Sequence, residues 1–282
     1  MSSTQPRKQS QIQPEDYAII RDFLERSCGI VLGDHKHYLI NSRLNRIVQE
    51  EGMASLGELA RRLAKGGDVR LQDRVIDAMT TNETSWFRDG YPFEILRTLI
   101  LPELAAKRVR GARIWSAACS SGQEPYSISI VIEEFLRTRP GALPDIQVVA
   151  TDISSSVLAE AEAGRFDDMT LSRGITEEMK QRYFERDGAC WRIKASVRRR
   201  VTFKKVNLKQ GFAALGRFHC IFCRNVLIYF SHDIKRDILQ RLAESLHPGG
   251  YLFLGSSEAV TGHGERFETV RQPVGHVFRK LR

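Results

Sequence analysis

Nowhere do the 282 residues assemble a run approaching the ~20 apolar residues that a membrane span needs, and the opening MSSTQPRKQSQIQPED is polar, without an apolar signal core. A cytoplasmic protein with a flexible segment at 1–13 is therefore expected, and no insertion into a membrane. Cysteine is scarce. Five residues, at 28, 119, 190, 220 and 223, are odd in number and scattered, which gives no disulfide framework and suits a reducing compartment. Groupings of metal ligands are missing too: Cys220 and Cys223, three apart on a strand, point to opposite faces, and His35 and His37 stand in a turn without other ligands nearby. No metal is expected. There is no internal repeat, no low-complexity tract and no G-x-G-x-x-G fingerprint, and that last absence counts against a dinucleotide such as NAD.

What is present is ordinary globular material. Hydrophobic residues at 42% and charged residues at 27% suit a chain with a sizeable core, and its length predicts two domains, or one with an appendage. The net charge of +9 is unevenly placed. Residues 1–85 carry 12 basic and 12 acidic side chains, whereas residues 165–209 carry 13 basic against 6 acidic, a local excess of +7. An acidic partner, or none, follows from such a balance.

Residues 14–81 show apolar spacings of three and four in AIIRDFLERSCGI, YLINSRLNRIVQ and LGELARRLA, a helical pattern. In the second stretch Ile40, Leu44, Ile47 and Val48 share one face, while Arg43, Arg46 and Glu50 stand on another, either a solvated face or a docking face for an acidic helix. From about residue 92, short apolar strands alternate with amphipathic helices: ARIWSAAC, PYSISIVIEEFLRT, DIQVVATDI, SSVLAEAEAG, then RVTFKKVNL, RFHCIFCRNVLIYF, IKRDILQRLAESL, a turn at HPGG and YLFLGSSE. This alternation argues an α/β fold, a mostly parallel doubly wound sheet with its ligand site at the carboxyl ends of the strands. The final RFETVRQPVGHVFRK reads as an antiparallel hairpin at the sheet edge. Residues 165–200 form an insert that the alternation does not need, with a helix TEEMKQRYFER capped by Thr176 and the strand-like CWRIKASVRRRV.

The first strand ends in WSAACSSGQEPYS, where Ser116, Ala117, Ala118, Ser120, Ser121 and Gly122 are small enough for a ligand to approach the backbone, or simply make a tight turn. Glu124 would repel a phosphate and suit an ammonium group. Asp152 ends the second strand; a carboxylate there accepts ribose hydroxyls or caps the following helix. Together they indicate a cofactor with a ribose and an ammonium but no pyrophosphate, which is S-adenosylmethionine. Asn207 and Leu208 end a further strand at the adenine edge, and FCRNVLIYF brings Arg224, Asn225 and Tyr229 to the same rim, Tyr229 having the alternative of a half-buried core aromatic. The segment 79–93, MTTNETSWFRDGYPF, concentrates Asn82, Thr84, Trp86, Phe87 and Arg88 and is expected to fold over the cofactor.

In this order and spacing, TTNETSWFRD, WSAACSSGQEPYSI, ATDIS, VNL and FCRNVLIYF closely resemble the chemoreceptor glutamate methyltransferases of bacterial chemotaxis, over nearly the whole chain from about residue 14. The resemblance implies a class I S-adenosylmethionine-dependent methyltransferase domain at 92–282, Rossmann-like, with a small β-subdomain inserted at about 165–200. It also implies an N-terminal all-α domain at 14–78 and a linker at 79–91 that contributes to the site. It implies transfer from S-adenosylmethionine, leaving S-adenosylhomocysteine, to receptor glutamates that become methyl esters. By motif, Asn82, Thr84 and Arg88 contact the cofactor from the linker, with Ala118 in the small-residue loop. Glu124 holds the methionine ammonium, Asp152 the ribose, Asn207 and Leu208 the adenine side, and Arg224 and Asn225 the methionine end. Arg88 and Tyr229 resemble the pair that positions the acceptor. Acidic receptor helices would meet Arg43 and Arg46, and the basic insert, with Arg198, Arg199 and Arg200, resembles the receptor-docking subdomain. The stretch ERDGACWRIK is short against the loop of members that dock on a receptor's C-terminal peptide, so tethered docking is not supported. A monomer at membrane receptor arrays is expected, with no nucleic-acid partner. Two rivals remain: a nucleic-acid methyltransferase, motivated by the basic segment although RNVLIYF lacks a Pro-Pro-aromatic motif, and a non-catalytic cofactor-binding adaptor.

Overall fold

The computed structural model describes residues 12–260 and 262–281, so most of the 1–13 segment expected to be flexible lies outside the described residues. The chain divides into two compact units, residues 1–81 and 82–282. Among the described residues no helix is long and apolar enough to cross a membrane.

Among the described residues the first unit is four helices, α1 (Pro14–Cys28), α2 (His37–Glu50), α3 (Leu56–Lys65) and α4 (Val69–Met79). Their ends follow from local chemistry. Pro14 opens α1 with Glu15 and Asp16 in its first turn, Gly29 closes it at φ 79°, and Ser55 and Asp68 cap α3 and α4 by accepting the amides of Glu58 and Leu71. Ile40, Leu44, Ile47 and Val48 are all buried, the face that their spacing predicts. Gly57 lets α1 and α3 meet closely, since a Cβ there would lie 2.6 Å from the Asp16 carboxylate.

The second unit runs α5 (Tyr91–Ile95), a π-turn (Leu96–Ile100), α6 (Leu101–Ala106), β1 (Arg113–Ala117), α7 (Gln123–Thr138), β2 (Gln147–Asp152) and α8 (Ser155–Ala163). The insert follows as β3 (Arg165–Phe166), α9 (Asp168–Ser172), α10 (Glu177–Tyr183), β4 (Phe184–Asp187), β5 (Cys190–Ile193) and α11 (Ala195–Arg198). The chain ends with β6 (Val201–Lys205), β7 (Phe218–Cys223), α12 (His232–Glu244), β8 (Leu246–Leu254), β9 (Phe267–Gln272) and β10 (Gly275–Lys280). Seven strands form one sheet in the order β6-β2-β1-β7-β8-β10-β9, parallel through β8, with β10 antiparallel to both its neighbours β8 and β9. The insert carries its own antiparallel sheet, β3-β5-β4.

Both faces of the large sheet are covered. Cys220 and Phe222 pack with Ile114, Ile128 and Phe253 on one side, and Ile221 and Cys223 pack with Trp115, Leu239 and Leu242 on the other. The two cysteines therefore do point apart, and burial pushes both thiols well above their usual range.

Three segments differ from expectation. The helix read in TEEMKQRYFER ends at Tyr183, and Phe184, Glu185 and Arg186 belong to β4. CWRIKASVRRRV is not one extended run: it breaks into β5, the turn of α11 and the start of β6, which turns Val197 fully into the insert's apolar cluster. HPGG is not a free turn but is absorbed into β8, where the pairing with β7 jumps from Phe218–Leu246 to Cys220–Tyr251.

Near that irregularity His219 Nδ1 accepts the Arg113 amide at 3.1 Å, and its ring lies 4.4 Å from that of His247. Burial, with His247 adding to it, lowers the His219 pKa from 6.5 to about 4. The unfolded chain thus binds this proton more readily than the folded one, so stability is lost as pH falls from 6.5 towards 4. Thermal unfolding between these limits should show a shallower pH slope in His219→Gln than in the wild type; identical slopes would remove His219 from the account.

Candidate active site

β1 ends at Ala117 and the chain turns through Ala118 (φ 59°) and Ser120 (φ 51°), left-handed conformations unusual for residues with a Cβ. Several bonds offset that cost. The Ser120 amide donates to Asp152 Oδ2 at 2.8 Å, its hydroxyl donates to the Asn82 carbonyl at 2.8 Å, and the Cys119 amide donates to the Thr151 carbonyl at 2.9 Å. Gly122, at φ 96°, starts α7 where a Cβ would come within 3.0 Å of Ala161 Cβ, so only glycine fits. Asp152 is buried, and its other oxygen accepts the Ser154 amide at 3.0 Å, so the carboxylate is oriented by backbone on both sides.

Glu124 stands in the first turn of α7, where the helix dipole favours an anion. One of its oxygens accepts the Ser116 hydroxyl at 2.6 Å and the other accepts Arg224 Nη1 at 3.1 Å. Arg224, immediately after β7, keeps 2% of its side-chain surface exposed. Its Nη2 donates to Asp89 at 2.5 Å and to the Arg88 carbonyl at 3.1 Å, while its Nε is buried with no hydrogen-bond partner among the described residues. One guanidinium thus joins the first turn of α7, the segment 82–89 and the end of β7.

The segment 82–89 is fixed at further points. Trp86 is buried against Phe166 and Phe184 of the insert, edge-on at 4.9 and 5.3 Å, and the Phe87 amide donates to Ser127 Oγ at 3.1 Å. Arg88 Nη1 donates to the Glu83 carbonyl at 3.1 Å, and both Arg88 and Thr84 are half-buried. Asn207 Oδ1 accepts the Lys209 amide at 3.0 Å just beyond β6, and Leu208 is buried with its carbonyl on Arg241 at 2.9 Å. Asn225 (φ 57°) opens the loop after β7, and half-buried Tyr229 closes its short turn, its backbone N–H donating to the Val226 carbonyl at 3.2 Å.

The small-residue loop, Asn82, Glu124, Asp152 and Arg224 are joined by direct bonds. The surface arginines are not alike. Arg43 donates to the carbonyls of Met79 and Thr80 at 2.8 and 3.0 Å and to Thr81 Oγ1 at 3.1 Å, closing the end of α4. Arg46 is 85% exposed and pairs with Glu50 at 2.6 Å. Arg198 and Arg199 are exposed, whereas Arg200 is turned inward, 9% exposed, on Glu133 at 2.8 Å and Ser129 Oγ at 3.0 Å. Sequence reasoning passed over Asp89 and Glu258. Asp89 adjoins Arg88 in a segment already singled out, and Glu258 follows the carboxyl end of β8, the edge where ligand sites form.

The donor set suits an amino-acid zwitterion beside a ribose. Glu124 offers carboxylate oxygens to an ammonium, Arg224 Nε offers an unmatched donor to a carboxylate, and Asp152 offers acceptors to paired hydroxyls. A parallel sheet ending in an inserted antiparallel strand, with these groups at its carboxyl edge, defines a class I S-adenosylmethionine-dependent methyltransferase. A family model described as the CheR methyltransferase SAM-binding domain matches residues 82–276, and the CheR methyltransferase all-alpha domain matches residues 15–80. The chain belongs to the CheR methyltransferase family, the protein-glutamate methyltransferases of chemotaxis. It is 51% identical over 269 residues to chemotaxis protein methyltransferase 1 of Pseudomonas aeruginosa PAO1, covering 94% of this chain and 97% of that one. It is 47% identical to chemotaxis protein methyltransferase Cher2 of Pseudomonas putida KT2440, covering 93% and 97%. The chemotaxis protein methyltransferase of Escherichia coli K12 is 34% identical, covering 89% and 86%.

Removing Arg224 would leave Glu124 and Asp89 without their shared cation. Arg224→Ala should lose about 3–5 kcal/mol of stability in chemical denaturation, the usual cost of breaking a buried pair from one side. An unchanged denaturation midpoint would show that the clasp is not structural.

Proposed function

We propose that the chain esterifies glutamates on the acidic cytoplasmic helices of chemoreceptors, working as a monomer in the cytoplasm beside receptor arrays. Residues 14–78 act as a helical docking domain, 79–91 as a linker that completes the site, and 92–282 as the catalytic domain, with a receptor-facing insert at about 165–200. The observation that carries the reading is Arg224 bound to both Glu124 and Asp89, which ties the segment bearing Arg88 to the cofactor loop. Glu124 and Arg224 hold the two charges of the methionine end, with Asn225 beside them. Asp152 takes the ribose, Asn207 and Leu208 the adenine side, and Asn82, Thr84 and Ala118 line the approach.

Bound there, the cofactor supplies a methyl group on a sulfonium, an electrophilic carbon with a good leaving group. A glutamate carboxyl in water titrates near about pH 4.3 and is already ionised at about pH 7, so the chain needs no general base. Its task is to bring a carboxylate oxygen in line at about 3 Å. Arg88 orients that carboxylate by charge-assisted hydrogen bonds, and Tyr229 positions it with Arg88. The hold must be moderate, since stabilising the carboxylate only in the ground state would blunt it as a nucleophile. An Arg88 guanidinium already shared with the Glu83 carbonyl supports a hold of that kind.

The insert's charge favours a protein partner over nucleic acid. Much of it is paired locally: Arg165 and Arg192 with Asp187, Lys180 and Arg186 with Asp168, and Arg182 with Glu178. Exposed Arg198 and Arg199, with Arg46 on the helical domain, are the receptor contacts proposed; Arg43 and Arg200 serve the fold.

Incubating the protein and S-adenosylmethionine with a receptor signalling domain should give base-labile additions of one methyl to glutamate by mass spectrometry. Arg88→Ala should lower the rate about a hundredfold through misplacement of the acceptor, and full activity would sink its assignment. Reversing Arg198 and Arg199 to Glu should weaken receptor association; unchanged affinity would mark both as merely solvated.

A further inference from the structure

Glu258, four residues beyond the end of β8, has no role in the site as described. Its carboxylate accepts four backbone amides: Oε2 takes those of Gly255 at 2.7 Å and Asn225 at 2.9 Å, and Oε1 takes those of Leu227 at 2.7 Å and Ile228 at 3.3 Å. Three of those donors belong to the loop leaving β7, whose turn at Leu227–Tyr229 is too short to satisfy its own first amides. A single anion does it instead.

Gly255 leaves the room for this arrangement. A Cβ there would lie 2.8 Å from Glu258 Oε2 and 2.9 Å from both the backbone and side-chain nitrogens of Asn225. Asn225 itself is left-handed at φ 57°, a region that asparagine adopts more readily than most residues with a Cβ. Arg224 anchors one end of the loop to Glu124 and Asp89, and Glu258 anchors the remainder to the end of β8.

We infer that Glu258 is a positioning residue for methyl transfer, holding the Asn225–Tyr229 turn so that Asn225 meets the cofactor and Tyr229 meets the acceptor. This rests on the roles proposed for those two residues. Both carboxylate oxygens are needed as acceptors, so an isosteric amide, which turns an NH2 group towards two amides, should loosen the turn without a change of size.

The test uses the full chain. Glu258→Gln should raise the Kd for S-adenosylhomocysteine by about tenfold in calorimetry and lower kcat for receptor methylation by about tenfold, with receptor KM unchanged. In a Tyr229→Phe background the further loss of kcat should shrink below about threefold, the non-additivity of residues acting as one unit. Glu258→Asp, which keeps two acceptors on a shorter arm, should recover part of both losses, and it carries the same measurements if the amide variant fails to fold. Wild-type Kd and kcat, or equal losses of kcat in both backgrounds, would overturn the proposal. If Tyr229→Phe alone keeps full kcat, the acceptor role of Tyr229 falls; Glu258 is then judged on Kd, a rise sustaining it and no change overturning it.

Discussion

A guanidinium with 2% of its side chain exposed is tolerable only where anions surround it, and Arg224 has two. Glu124 arrives from the first turn of α7 and Asp89 from the segment before α5, while Arg224 itself closes β7. Three stretches far apart in sequence therefore converge on one cation. The interaction also fixes the charge pattern of the site, because Glu124 can serve a cationic ligand group while its own charge is balanced from behind.

The anchors around that centre share a logic. Strained or unpaired backbone is satisfied by a side chain from another strand end. Asp152 orients the loop after β1 through the Ser120 amide, and Glu258 holds the loop after β7 through three amides. Charge-assisted bonds to backbone are stronger than neutral ones, which suits loops that must keep one shape. Trp86 adds a different kind of anchor, an aromatic plug in the insert's apolar cluster, so the insert and the segment bearing Arg88 are packed as one.

Charge was the least transparent part of the sequence. Of the 13 basic side chains at residues 165–209, Arg165, Lys180, Arg182, Arg186 and Arg192 pair with acids of the same segment across the β4–β5 hairpin and α10. Arg198, Arg199 and Arg200 read as one run, yet the third, two residues past the end of α11, turns inward to Glu133. Adjacent residues on a helical turn point about 100° apart, so a run in sequence is not a patch in space. Arg43 was misleading in the same way, because a polar face is not solvated where the last carbonyls of a neighbouring helix lie within reach.

The sequence by itself determined the alternation of strands and helices, the apolar faces, and the small-residue loop with Glu124 and Asp152 at strand ends. Those features are local or periodic, and side-chain size, charge and spacing express them directly. It could not determine which acid meets which base. Asp89 and Glu258 lie 135 and 33 residues from the groups they hold, and their partners are set by sheet order, which brings β1, β7 and β8 side by side. Only that juxtaposition turns two ordinary surface-type carboxylates into anchors of a site, because a hydrogen bond needs a distance that no local pattern specifies.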